Sequence, residues 1–121
     1  MREIKFRGKA KPTDDWVYGY FVPVATNKGI KPAICTLTES GSLINTIVDI
    51  RSVGQFTGFT DKNGVEIYEG DILADCDEAV VTFRDGTFKL EWLAGYVASD
   101  LNEGYDETME IIGDCYGEGL K

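Results

Sequence analysis

Histidine is absent from the 121 residues, and only three cysteines occur, Cys35, Cys76 and Cys115, spaced 41 and 39 positions apart. The first absence removes His-containing zinc sites, Cys–His nucleophile pairs and Ser-His-Asp triads together. An odd, unclustered set of cysteines does not make a disulfide framework. A three-cysteine metal site is the functional reading of that set; three small buried thiols are the plainer one, which we adopt. Glycine is frequent, at 14 residues, yet neither G-x-x-x-x-G-K-[ST] nor G-x-G-x-x-G occurs, so no phosphate-cradling loop is expected. No apolar run has the length needed to span a bilayer. The opening carries charges at Arg2, Glu3, Lys5 and Arg7 and no apolar h-region. No signal peptide is therefore expected, and the chain is expected to be cytoplasmic. No catalytic residue, metal or cofactor is expected.

What is present is the composition of a globular protein, 43% hydrophobic and 12% aromatic, well away from disordered chains. This length supports one domain that buries roughly two-thirds of its unfolded surface. Charge is unevenly spread within the total of −9. Residues 1–60 hold 8 Lys and Arg against 5 Asp and Glu (net +3), and residues 61–121 hold 4 against 16 (net −12). Such asymmetry marks distinct partner surfaces or simply keeps a protein dispersed.

The patterning is that of strands. Ile4 and Phe6 alternate with Lys5, Arg7 and Lys9, which places the cations on one strand face. A polar loop from Gly8 to Asp15 holds Pro12. The aromatic and β-branched run Trp16–Val22 is expected to pair back on the first strand, in a central position. Ile34–Leu37 and Leu43–Val48 are short strands joined by the loop Thr38–Ser42. Asp49 is placed to cap one helical turn through Val53. Asp61-Lys62-Asn63-Gly64 is a tight reversal.

Asp85-Gly86 sets the register of the next hairpin, as a type I′ loop. Arg84 then faces Thr87, Phe83 faces Phe88, Thr82 faces Lys89, Val81 faces Leu90, Val80 faces Glu91 and Ala79 faces Trp92. Every second pair is apolar, and a slip of one residue would scatter the aromatics to both faces. Phe83, Phe88 and Trp92 are expected in the core. Leu93–Glu107, with Asp100, Glu103, Asp106 and Glu107, reads as a loop or one short helix. Met109–Tyr116 reads as a last strand and Gly117–Lys121 as a loose tail.

Four stretches resemble the YopX family, small proteins found mainly in bacteriophages and prophages. They are Arg2-Glu3-Ile4-Lys5-Phe6-Arg7 with Trp16-Val17-Tyr18-Gly19; the run Val53–Asp71, with Gly54-Gln55-Phe56-Thr57-Gly58, Asp61-Lys62-Asn63-Gly64 and Glu66-Ile67-Tyr68-Glu69-Gly70-Asp71-Ile72; the hairpin at Asp85-Gly86-Thr87-Phe88; and Glu110-Ile111-Ile112-Gly113-Asp114-Cys115-Tyr116. They occur in order and span nearly the whole chain. The last residues depart from the family pattern, which continues in a helix-like tail. The resemblance implies a compact, mainly β fold and brings no established activity with it. One YopX-like domain over residues 1–121 is expected, with an N-terminal β portion at 1–52. Residues 53–121 would carry the signature run and a portion resembling a small SH3-like barrel.

Three groups of residues have a functional reading beside a structural one. Gln55, Thr57, Asp61, Asn63, Glu66, Tyr68, Glu69 and Asp71 would be a recognition loop on a rigid scaffold, or polar groups that serve nearby backbone around tight turns. We take the structural reading. Asp71, Asp75, Asp77 and Glu78 would bind a hard cation, but their spacing fits no EF-hand loop, and a solvated acidic face is the better account. Lys5, Arg7 and Lys9, beside Trp16, Tyr18 and Tyr20, would hold phosphates and stack bases. The sequence pI near 4.4 is unlike a nucleic-acid footprint, and a solvated strand face is preferred.

The function expected is that of a non-enzymatic phage or prophage accessory protein, working in its bacterial host through contacts with a protein partner. Self-association of basic face on acidic face, weakening as salt rises, belongs to that expectation. A nucleic-acid-associated module, or an acidic decoy of a host DNA-binding protein, is the alternative. A carboxylate-based enzyme stands behind both.

Overall fold

The computed structural model of the chain describes residues 4–11, 13–102 and 108–116. Strands dominate them, and the fold is mainly β. No described helix is long and apolar enough to cross a membrane. The chain divides into two compact units, Met1–Gln55 and Phe56–Lys121. The loop position Pro12, the acidic positions Glu103, Asp106 and Glu107, and the tail Gly117–Lys121 lie outside the described residues.

The first unit is an antiparallel sheet of β1 (Phe6–Lys9), β2 (Trp16–Thr26), β3 (Gly29–Leu37) and β4 (Leu43–Ile47), in the order β4-β3-β2-β1. The aromatic strand β2 is internal, paired with β1 on one side and β3 on the other. It runs on past Val22, where the sequence pattern ends, to a reversal at Asn27-Lys28. Pro23 and Pro32 face each other across that hairpin. Thr26 and Gly29 close its end, and alternation from there places the proline pair where both missing N–H groups would have pointed away from the partner strand. Neither proline therefore removes a bond from the β2–β3 ladder.

The loop Thr38–Ser42 closes β3 onto β4, with the Ser42 carbonyl accepting from Thr38 N at 2.8 Å. Asp49 caps the 3-10 turn Ile50–Ser52 by accepting from Arg51 N at 3.0 Å. The Arg51 guanidinium, also bonded to Asp49 at 2.8 Å, and then this backbone bond hold the Asp49 carboxyl down to about 2. Ser52 Oγ donates to the Asp49 carbonyl at 2.6 Å and accepts from Lys9 N at 2.7 Å, which ties the turn to β1. The next strand, β5 (Gly54–Thr60), begins beside β1, with Gly54 facing Arg7 and Gln55 facing Phe6.

In the second unit the remainder of β5 pairs with β6 (Glu66–Tyr68). A five-stranded antiparallel sheet follows, built from β7 (Asp71–Ala74), β8 (Glu78–Arg84), β9 (Thr87–Trp92), β10 (Ser99–Asp100) and β11 (Glu110–Asp114). Its order is β10-β9-β8-β7-β11. The β8–β9 register is the one read from the turn, pair for pair. Asp85 and Gly86 both have positive φ, +54° and +81°, as a type I′ loop requires. The apolar pairs feed a core of Ile67, Leu73, Ala79, Val81, Phe88, Leu90, Leu101 and Met109, with Trp92 packed against it. On the opposite face Glu91 accepts from Thr82 Oγ1 and pairs with Arg84, both at 2.8 Å.

Three expectations are corrected. Phe83 is 46% exposed and stands outside the core, because it sits one pair from the hairpin tip and only its edge contact with Phe88 covers it. The second unit is an open sheet and not a closed barrel. Its last strand returns to β7, while β10, only two residues long, is too short to carry the sheet round to meet it. Leu93–Asn102 contains no helix: a loop leads to β10, where Ser99 Oγ accepts from the Trp92 indole at 3.0 Å.

Gly70 shows why the tightest corner of this unit needs glycine. Its φ is +96°, its N–H bonds the Val81 carbonyl and its carbonyl accepts from Cys115 N, each at 2.8 Å. A Cβ there would meet Cε2 of Tyr116 at 2.5 Å.

The β8–β9 register carries a measurable contrast. Leu90→Ala, at a fully buried position, is expected to lower unfolding stability by about 2–5 kcal/mol. Phe83→Ala, truncating a half-exposed ring, is expected to cost less than half of that. Urea unfolding of the two variants decides it: equal losses would mean that Phe83 is core after all.

Candidate interaction surfaces

The signature run is spent mostly on its own backbone. Asp61 is buried and makes the densest set of bonds in the second unit. One carboxylate oxygen accepts from Asn63 N at 2.8 Å and Val65 N at 3.0 Å. The other accepts from Ile111 N at 3.0 Å, fifty residues further along the chain. The Asp61 N–H bonds the Val65 carbonyl, and Lys62 N reaches the Met109 carbonyl at 2.9 Å. Burial pushes the Asp61 carboxyl up, but the N–H groups of Ile111, Val65 and Asn63, with the Lys62 charge, hold it below its ordinary 3.8.

Its neighbours behave alike. Thr57 Oγ1 donates to the Ile67 carbonyl at 2.8 Å and accepts from Phe59 N at 3.2 Å. Asp71 accepts from Tyr68 N at 2.8 Å. The Tyr68 ring lies 5.5 Å from that of Phe56, and its hydroxyl donates to Glu66 at 3.2 Å. Thr57, Tyr68 and Asp71 are buried, Gln55, Glu66 and Glu69 are half-buried, and Asn63 alone of the run's candidates is fully exposed. These residues shape turns; they do not gather into a surface loop.

The basic strand also differs from a row of solvated cations. Arg7 is only 5% exposed, with its guanidinium 4.0 Å from the centroid of the Trp16 ring. Lys9 Nζ lies 5.2 Å from the same ring. The register explains this, since Lys9 faces Trp16 and Arg7 faces Tyr18 across β1 and β2. A guanidinium on an indole face gains a cation–π contact. That contact occupies the aromatic surface on which a base would stack.

The acidic string is divided as well: Asp71 is buried, while Asp75, Asp77 and Glu78 are exposed around the β7–β8 turn. There Asp75 accepts from the N–H groups of Cys76 and Asp77. Among the described residues no three His, Cys, Asp or Glu side chains converge as a metal site would need. The cysteines depart from the expected buried thiols. Cys76 is exposed in that same turn, and Cys35 and Cys115 are half-buried, because a turn joining two short strands offers no interior to the middle one.

Sequence reasoning missed the largest apolar feature of the first unit. Pairing places Tyr20 and Cys35 on one face of the sheet with Asn45, and Leu37 opposite Leu43 on that same face. Tyr18, two residues before Tyr20, shares it. Tyr20 is 62%, Leu37 64% and Leu43 69% exposed, and Tyr18 nearly half. Registering the Thr38–Ser42 loop, as was done for Asp85-Gly86, would have aligned Leu37 with Leu43 in advance.

A family model described as YopX protein matches residues 5–119. Three chains among solved structures match. One, the crystal structure of protein EF1440 from Enterococcus faecalis, aligns over 100% of both chains with a TM-score of 0.58 and 24% sequence identity. At that identity the likeness concerns the fold alone. No curated protein matches the chain.

Asp61 supplies the test of the structural assignment. Asparagine in its place would turn an NH2 group toward the Ile111 N–H, leaving a buried donor unsatisfied, so Asp61→Asn is expected to cost about 1–3 kcal/mol. The folded carboxyl titrates below the unfolded one, so its contribution is complete above the unfolded value and is lost as pH falls through the folded one. Urea unfolding between neutral and acid pH should therefore show the gap between wild type and Asp61→Asn closing on acidification. A gap that stays constant would remove the carboxylate from this role.

Proposed function

The chain belongs to the YopX family, and we propose that it is a non-enzymatic phage or prophage accessory protein, acting in the bacterial cytoplasm through protein–protein contacts made by the sheet of its first unit. The observation that carries this reading is the exposed face of Tyr18, Tyr20, Leu37 and Leu43, aligned by strand register. Clustered large apolar side chains are uncommon on a surface that meets only water. Tyrosine is enriched in the desolvated centres of protein interfaces, with polar groups at their rims. Lys9 and the half-exposed Trp16 lie along the same face, at its β1 side.

A nucleic-acid reading of Lys5, Arg7 and Lys9 is weaker, because Arg7 is buried against Trp16. The acidic-decoy reading draws on the net −12 of residues 61–121. It would place the contact in the second unit.

Affinity capture from lysate of the natural host, after nuclease treatment, compares wild type with the double variant Tyr20→Ser, Leu37→Ser. A distinct protein retained by wild type and lost by the variant is the expected result. Retention by both, or nothing surviving nuclease, would sink the assignment. Displacement of the captured protein by DNA would move the contact to the acidic half.

A further inference from the structure

Every sheet edge presents a row of backbone donors and acceptors, and proteins blunt such edges with short strands, charges, prolines or bulges. Among the described residues, three of the four outer strands are treated in this way. β10 has two residues, and its Asp100 is paired with Lys89 at 2.7 Å. β11 carries Glu110, Asp114 and a register shift between Ile111 and Gly113. β6 has three residues and opens on Glu66. β4 has none of these devices: Leu43-Ile44-Asn45-Thr46-Ile47 contains no charge, proline or glycine and pairs regularly with β3 along its whole length.

The bonds at the two ends of the β3–β4 hairpin show which backbone groups of β4 face outward. Thr38 N bonds the Ser42 carbonyl, and Val48 N bonds the Pro32 carbonyl. Bonded and non-bonded pairs alternate between those points. Ile44 and Thr46 therefore direct their backbone groups at β3, while Leu43, Asn45 and Ile47 direct theirs away from it. The side chains of those three share one sheet face and those of Ile44 and Thr46 the other.

We propose that β4 is a homodimerisation edge, pairing antiparallel with β4 of a second copy about a two-fold axis through Asn45. The segment is self-complementary in that register. Leu43 faces the second copy's Ile47, Asn45 faces its own counterpart, and Ile44 faces the second copy's Thr46. All three outward residues form bonded pairs, apolar side chains meet across the axis on the Tyr20 face, and the two Asn45 amides offer each other a donor and an acceptor. The contact is isologous and uses up the edge on both copies, so it closes at two chains and does not propagate. It involves no ion pair and is insensitive to salt, in contrast to an association of basic face on acidic face. The proposal rests on the reading of this sheet as a contact surface and names the partner at its edge.

Sedimentation of the purified chain over a concentration series reaching the millimolar range, at low and high salt, tests it against Asn45→Lys. That substitution is at an exposed position and sets two like charges opposite each other across the axis, where they oppose pairing. A concentration-dependent dimer unchanged by salt, lost in Asn45→Lys with an unchanged circular dichroism spectrum, is the expected result. A second readout fixes the register. In a Cys76→Ser background, Asn45→Cys is expected to form a disulfide-linked dimer under oxidised glutathione, since directly opposed bonded residues have Cα atoms about 5.5 Å apart. Leu43→Cys, which faces a different position, is expected to cross-link far less. A wild-type monomer throughout, or a dimer that survives Asn45→Lys, would overturn the proposal. Sedimentation reads self-pairing alone and lysate capture reads foreign partners alone, so each reading can fail without the other.

Discussion

Backbone N–H groups need an acceptor wherever a strand ladder stops, and in the second unit one carboxylate supplies it three times. Asp61 takes the N–H groups of Asn63 and Val65 within its own turn and that of Ile111 in the last strand. The reversal between β5 and β6 and the placement of β11 are thus set by the same side chain. Around it, Thr57 and Asp71 perform the same service at neighbouring breaks in the ladder. A turn built in this way needs a charged acceptor in a nearly dry site, which costs desolvation, and only several simultaneous donors offset that cost. The polar density of the signature run follows from this requirement, with no ligand needed to explain it.

The parts of the fold legible beforehand were those in which local chemistry leaves one choice. Asp85-Gly86 permits one tight reversal, and the apolar alternation on either side then admits one register. Asp49 before Ile50-Arg51-Ser52 reads as a cap because its side chain reaches Arg51 N without tertiary help. The parts that did not read were set by partners distant in the chain. The extension of β2 and β3 through Pro23 and Pro32 is invisible to a rule that ends strands at proline, because it depends on which side of the ladder each ring falls. Arg7 looked like a solvated cation from its alternation alone, and the Trp16 ring that covers it is supplied by the neighbouring strand. Closure of the second sheet turned on the length of β10, which its weak pattern did not disclose.

The two units manage their surfaces differently. In the second, apolar side chains are drawn into one core and the outer hairpin face is laced by Thr82, Glu91 and Arg84. In the first, Ala33 and Ile34 are fully buried at the sheet's centre, while the apolar residues nearer the Thr38–Ser42 loop stay open. Covering them would bury area worth about 25 cal/mol per Å², and no element of the first unit does so. Contact with another chain is the use to which such a face is suited.

The two tryptophans of the chain fall one to each unit: Trp16 beneath the Arg7 guanidinium in the first, Trp92 against the apolar core in the second. Each unit therefore has its own intrinsic fluorophore, in a distinct environment. Removing either ring leaves a chain whose emission follows one unit only, so the cooperativity of the whole molecule, whether it melts as one body or as two, is written into its own spectrum.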